Sequence, residues 1–227
     1  MILAARLLLI VAYVALAHAA SNRGSGVLAG WALLDVAVLA LLQRLLARQP
    51  SAWLALAGCA AFAFWLAHTR FAMLPLLLMP VAFILMVGWV FARTLPPGRV
   101  PLITRLVAAL DRTTPANLSL ELRDYTRGVT TLWAGVLGAM ALVNLLLALV
   151  AQPRGILVMF GLHAPFSVTQ TQWSWFANLA NYALVAAVFC AEYLYRAHRF
   201  PQRYHGPVDF ARRLVALGPA FWRDFLR

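Results

Sequence analysis

Three polar side chains interrupt long apolar runs: Asp35, Asn144 and Asn181. An ionised carboxylate at the centre of a membrane helix costs about 2.5–3.5 kcal/mol on insertion scales, so such a group is paired, protonated or functional. Asp35 lies eight residues from the end of its run, Asn144 seven and Asn181 eight. At a helical rise of about 1.5 Å per residue, each is roughly 10–12 Å deep, near a bilayer midplane. The three are a candidate intramembrane polar layer. One reading is interhelical hydrogen bonding that fixes packing, worth about 0.6 kcal/mol per contact. The other is a proton or substrate site.

A second constellation is Glu192, Arg196 and Arg199, at the end of the last apolar run. Glu followed by Arg at i+4 is the favourable order on a helix. It reads either as a boundary salt bridge or as a clamp on a ligand head group. Other side chains that carry chemistry are isolated. His18, His68, His163, His198 and His205 show no ligand spacing on one helix, and a metal site needs several ligands converging. Cys59 and Cys190 fall inside apolar runs and read as small buried hydrophobes. Ser51 and Ser174 have no adjacent base and no nucleophile elbow. There is no phosphate loop or dinucleotide fingerprint. No catalytic motif, cofactor or metal is predicted.

The elements that must position these residues follow from composition. Of 227 residues, 63% are hydrophobic and 11% charged, against about a quarter charged in a soluble domain. The expectation is an all-α polytopic transmembrane helix bundle forming one integral membrane domain. Six apolar runs approach the length needed for roughly 30 Å of hydrocarbon: 2–19, 27–42, 52–67, 72–91, 129–151 and 173–195. The fourth contains Pro75 and Pro80, which a packed bundle tolerates as kinks. The first also fits a signal peptide, with Arg6 before an apolar stretch and then Ala17-His18-Ala19; cleavage would leave five spans.

All 19 basic residues are arginine, and the net charge is +12. With the N-terminus inside, Arg6, Arg44, Arg48, six arginines in 92–128 and seven in 196–227 lie inside, against Arg23, Arg70 and Arg154 outside. Sixteen against three is a strong positive-inside bias. It predicts a multi-pass protein of the bacterial inner membrane with both termini cytoplasmic. Trp89, Trp173 and Trp175 near the boundaries read as an interfacial belt. Two inside segments are amphipathic. In 99–112 the stripe is Leu102, Ile103, Leu106, Val107 and Leu110; in the tail it is Phe210, Leu214, Leu217, Phe221 and Phe225, after Pro207 and broken at Gly218-Pro219. Each stripe suits a helix in the membrane interface or one packed on the protein's own bundle. The stretch 156–161 is apolar, long enough to dip into the interface and too short to span.

The most distinctive text is Phe91-Ala92-Arg93-Thr94-Leu95-Pro96-Pro97-Gly98-Arg99-Val100-Pro101-Leu102-Ile103. It is followed by Tyr125-Thr126-Arg127-Gly128-Val129-Thr130 and Trp133, then Phe176-Ala177-Asn178, Ala191-Glu192-Tyr193, Arg196 and Arg199-Phe200-Pro201. Over about 90–201 this resembles a family of uncharacterised bacterial inner-membrane proteins. Their genes tend to lie among those for acyl carrier proteins, ketosynthases and acyltransferases in aryl-polyene and xanthomonadin-type pigment clusters. The chain departs from the pattern at Gly128, where a second arginine is expected after Arg127. The resemblance implies a setting, assembly or export of a lipid-linked polyene, and no catalytic residue.

Acyl carrier proteins are acidic, and a basic inside face steers acidic partners. The same arginines bind anionic lipid, at about 1 kcal/mol each near the surface. Arg93, Arg99, Arg123, Arg127, Glu192, Arg196 and Arg199 therefore form a candidate cytoplasmic-interface site for a head group or a partner. Nucleic acid is not expected; a homo-oligomer is open. The leading expectation is an accessory or scaffold membrane protein of a polyene-pigment or related acyl-lipid pathway. The alternatives are a transporter or flippase of a hydrophobic product, and a membrane-embedded acyl or glycosyl transferase.

Overall fold

The computed structural model describes residues 2–153, 155–163, 166, 168–169, 172, 175, 179–200, 212–213, 215–218, 221 and 225. The fold is all-α, apart from a parallel pairing of two-residue strands, Ala151–Gln152 with Val168–Thr169. The helices are α1 (Ile2–Arg23), α2 (Gly26–Leu46), α3 (Pro50–Ala67), α4 (Leu74–Ala92), α5 (Leu102–Leu110), α6 (Leu120–Val150), α7 (Ile156–Met159) and α8 (Asn181–Arg199). Five of them, α1 to α4 and α6, are long and apolar enough to cross a membrane. They make this a multi-pass protein. The sixth expected span, 173–195, falls in part on residues outside those described; its described portion is residues 175, 179 and 180 and the first part of α8.

Helix ends follow capping chemistry. Ser25 accepts from the Leu28 amide and starts α2, while Pro50 opens α3 at the position where a missing N–H costs nothing. Four helices end with a residue in the left-handed region, which lets two amides bond back to otherwise orphaned carbonyls. Gly24 and Gly161 do this after α1 and α7, and Arg48 and Arg112 after α2 and α5. After α5, Arg112 N–H bonds Ala109 O at 3.1 Å and Thr113 N–H bonds Ala108 O at 2.9 Å. Pro75 lies in the first turn of α4; Pro80 lies inside it and removes one rung of the ladder.

The chain divides into two compact units. The first is Met1–Pro80 with Leu145–Trp173, the second Val81–Asn144 with Ser174–Arg227. In the first, α1 packs on α2 and α2 on α3. The α2–α3 approach is close because Gly26 and Gly30 carry no Cβ: one on Gly26 would strike the Ala67 carbonyl, and one on Gly30 would lie 3.2 Å from Ala63 O. The apolar segment 156–161 forms the short α7. Its Met159 is buried with Leu77 and Ala148, so this segment packs on its own unit. In the second unit, Ile84, Leu137, Met140 and Ala141 form one core between α4 and α6. Large apolar side chains remain exposed along the spans, Leu54, Phe64, Phe83 and Trp89 among them. On a protein in water such exposure would drive aggregation; here it is the surface a bilayer solvates.

The segment read from sequence as a long loop, 92–128, is mostly folded. It holds α5, a short 3-10 turn at Pro115–Asn117 and the first turns of α6. At about 1.5 Å per residue, the 31 residues of α6 extend roughly 46 Å, well beyond the hydrocarbon. Its polar beginning, with Glu121 in the first turn and then Arg123, Asp124 and Arg127, is the excess. Of the two readings of the 99–112 stripe, the structure gives the packed one. Val107 and Ala108 of α5 are buried with Leu118 and Leu122, and Ile103, Tyr125 and Phe200 pack around them. In the tail, the Phe221 and Phe225 rings pack in a tilted arrangement with centroids 5.1 Å apart, and Phe225 is buried. Pro207, Phe210, Leu214 and Pro219 lie outside the described residues.

Candidate functional site

The second unit carries the basic surface, and buried threonines build it. Thr94, just past α4, donates to Phe91 O at 2.7 Å and accepts from the Leu102 amide at 3.0 Å. It thus supplies the N-terminal cap of α5 that Pro101 lacks a side chain to provide. Thr130 accepts from the Ile103 amide at 3.3 Å. Thr104 and Thr126 share a hydrogen bond of 2.7 Å. All four threonines are buried. They pin α5 across the start of α6 and fix the 93–101 turn that carries the arginines. Sequence reasoning followed the charges and missed this ladder. The i, i+4 pair Thr126 and Thr130, about 100° round the helix from Arg127 and Thr131, was its signal.

On that base the arginines are oriented, not loose. Arg99 Nη1 donates to Arg93 O at 2.8 Å, and Arg127 Nη2 donates to Leu95 O at 2.8 Å. Both therefore satisfy carbonyls left open where α4 ends, and both side chains are exposed. A guanidinium has five N–H donors in a planar fork, so each keeps others directed at solvent. Arg123 is exposed, and Arg105 lies over the Phe225 ring at 5.2 Å.

Glu192 of α8 is enclosed by its neighbours. Tyr125 of α6 donates its hydroxyl to Glu192 Oε1 at 2.7 Å. Arg196 Nε approaches the same oxygen at 3.4 Å, and the Glu192 and Arg196 side chains are about a tenth exposed. Arg199 pairs with Glu121 at the surface. Tyr125 also stacks on Tyr195 at 6.0 Å and packs on Phe200 at 5.2 Å. The structure thus brings Glu192, Arg196, Arg199 and the start of α6 into one cluster that joins α8 to α6.

Deeper in the same unit, Asn144 and Asn181 bond reciprocally, Nδ2 to Oδ1 in both directions at 3.0 Å. Asn144 Nδ2 also donates to Met140 O at 2.8 Å. Asp35 belongs to the first unit. Its Oδ2 is buried and has no hydrogen-bond partner among the described residues.

The arrangement can hold an anion, dock an acidic surface or anchor in anionic lipid. The one carboxylate of the α6–α8 cluster that is shielded from water, Glu192, already holds a phenol and a guanidinium. No group of three or more His, Cys, Asp or Glu converges among the described residues. No family model, curated protein or solved structure matches the chain.

Proposed function

We propose that this protein is an accessory platform of the bacterial inner membrane, working in a pathway that builds a lipid-linked polyene pigment or a related acyl lipid. Its basic face, cytoplasmic by the arginine bias, docks an acidic partner such as an acyl carrier protein or an enzyme carrying one. It also rests on anionic lipid head groups. The observation that carries this reading is the pairing of Arg99 and Arg127 with the carbonyls of residues 93 and 95 on a buried threonine base. It presents cations at fixed positions, which suits recognition. The family-like text around these residues supplies the pathway. Affinity purification in mild detergent tests it: carrier protein or biosynthetic enzymes are expected with the unaltered chain and lost with Arg99→Glu/Arg127→Glu. Recovery of neither from the unaltered chain contradicts it.

A transporter or flippase of a hydrophobic product is the second reading, favoured by the buried Asp35 Oδ2, which has no hydrogen-bond partner among the described residues. Asp35→Asn then abolishes product export while leaving assembly intact; unchanged export removes the proton-coupled version. A membrane-embedded transferase has less support, since its best candidate, Glu192, is engaged by Tyr125 and Arg196.

A further inference from the structure

The first unit has a cavity of about 480 Å³ where α2 begins, α3 ends and α4 begins, closed on one side by Pro153, Val158 and Met159. That volume is within the range of about 300–1,000 Å³ typical of small-ligand sites. Its polar rim comes from the α3–α4 turn, and its other walls are apolar. The Thr69 hydroxyl is consumed locally, donating to Leu66 O and accepting from the Phe71 amide. His68 donates from Nδ1 to Phe64 O at 2.8 Å, which leaves Nε2 outside that bond. Arg70 lies over the Phe71 ring at 4.9 Å, and Phe71 packs on Phe160 at 5.2 Å. A guanidinium held over a ring still carries its N–H donors, and their planar fork fits phosphate or carboxylate.

The charge balance around this fork is one-sided. Of the chain's seven acidic residues, only Asp35 belongs to this unit. It sits nine residues into α2 from Gly26, about 13 Å along the helix axis. An anion for Arg70 must therefore come from outside the unit. The cavity's depth indicates the source. The 18 residues of α3 span about 27 Å, so the turn after it lies at the head-group level of a bilayer about 30 Å thick in its core.

We propose that this cavity seats the phosphoryl head group of a membrane amphiphile, with Arg70 as the fork on phosphate, His68 beside it, and Met73, Val158 and Met159 against the adjoining glycerol and upper acyl chain. This site is built from residues of the first unit and does not depend on the platform reading.

The test uses the full chain purified in an uncharged detergent. It is titrated with a short-chain phosphatidylglycerol, with phosphatidylcholine of the same chains, and with inorganic phosphate, and binding is read by native mass spectrometry and thermal shift. The expected result is phosphatidylglycerol binding that weakens at least tenfold in Arg70→Gln and in the cavity-filling Val158→Trp. Arg44→Gln, at the other end of α2, should bind as the unaltered chain does. Arg70 is exposed, so Arg70→Gln should remain folded, checked by its elution and helical signal. Unchanged phosphatidylglycerol binding in Arg70→Gln overturns the proposal, as does equal loss in Arg44→Gln. Phosphatidylcholine carries the same phosphodiester, so any binding of it should depend on Arg70 in the same way; phosphatidylcholine binding left unchanged in Arg70→Gln would overturn the proposal too. Arg70-dependent binding of inorganic phosphate at lipid-like concentrations would assign the site to free phosphate and overturn the lipid assignment.

Discussion

Asn144 is 2% exposed and Asn181 7%, and each amide supplies what the other requires. Replacing one takes both reciprocal bonds from the other in an apolar setting, and losing one partner of a buried bond costs more than losing both. Asn144→Leu should destabilise the chain by about 0.6–1.7 kcal/mol, the range measured for such contacts in membrane bundles. Asn144→Leu/Asn181→Leu should recover part of that loss. Denaturant unfolding in micelles checks both, and a double variant less stable than the sum of the singles would contradict the pairing. Glu192 behaves differently because its partners are a phenol and a cation. Glu192→Ala removes the carboxylate that Arg196 and Tyr125 share, and breaking a buried pair from one side costs about 3–5 kcal/mol; the exposure of about a tenth, with Arg196 also over the Tyr193 ring, puts the expected loss at the lower end. Tyr125→Phe removes only the 2.7 Å hydrogen bond and should cost less than Glu192→Ala. The reverse order in thermal unfolding would contradict this account of the cluster.

The helix α5 is the element on which the basic surface depends. Its apolar stripe was legible in the sequence. Whether that stripe meets lipid or protein was not, because both partners ask for the same side chains at the same spacing. The deciding residues are polar. Thr104 and Thr126 bond to each other inside the fold, and a helix lying in the interface would have no use for a buried threonine on its inner face. Thr126→Val should therefore loosen α5 by about 1–3 kcal/mol, the cost of an unsatisfied buried partner. Trypsin should then cut faster after Arg99, Arg105 and Arg112, with the spans left intact. Cleavage at the unaltered rate would show that the ladder does not hold α5. The span helices were legible from their apolar runs, with ends misjudged where capping decides. The α2 helix runs on to Leu46, past the apolar stretch that ended at 42, and its end is built by Arg48 in the left-handed region. Close packing at Gly26 and Gly30 was not legible either. A glycine in an apolar run reads as a weak helix former until the neighbouring helix is placed against it. Gly30→Leu should separate α2 from α3, which lie against each other at Ala63 O, and should lower the melting temperature more than Gly58→Leu, where no atom lies within 4 Å of the added Cβ.

At the scale of the whole molecule, composition alone established a membrane protein, because a chain 63% hydrophobic cannot cover itself with polar surface. Five helices of spanning length agree with that. Sidedness rests on arginine counts. Reporter fusions after residues 95 and 227 should report the cytoplasm, and one after residue 70 the opposite side; the inverse pattern would turn the basic face outward and remove its proposed partner. The central claim is that this face recognises an acidic protein. Its most direct measurement is the affinity of an acidic acyl carrier protein for the purified chain in nanodiscs of uncharged lipid, with and without Arg99→Glu/Arg127→Glu. Binding should be saturable, weaken at least tenfold in the variant and fall steeply with added salt. Absence of binding, or binding indifferent to both the reversal and the salt, would contradict the claim.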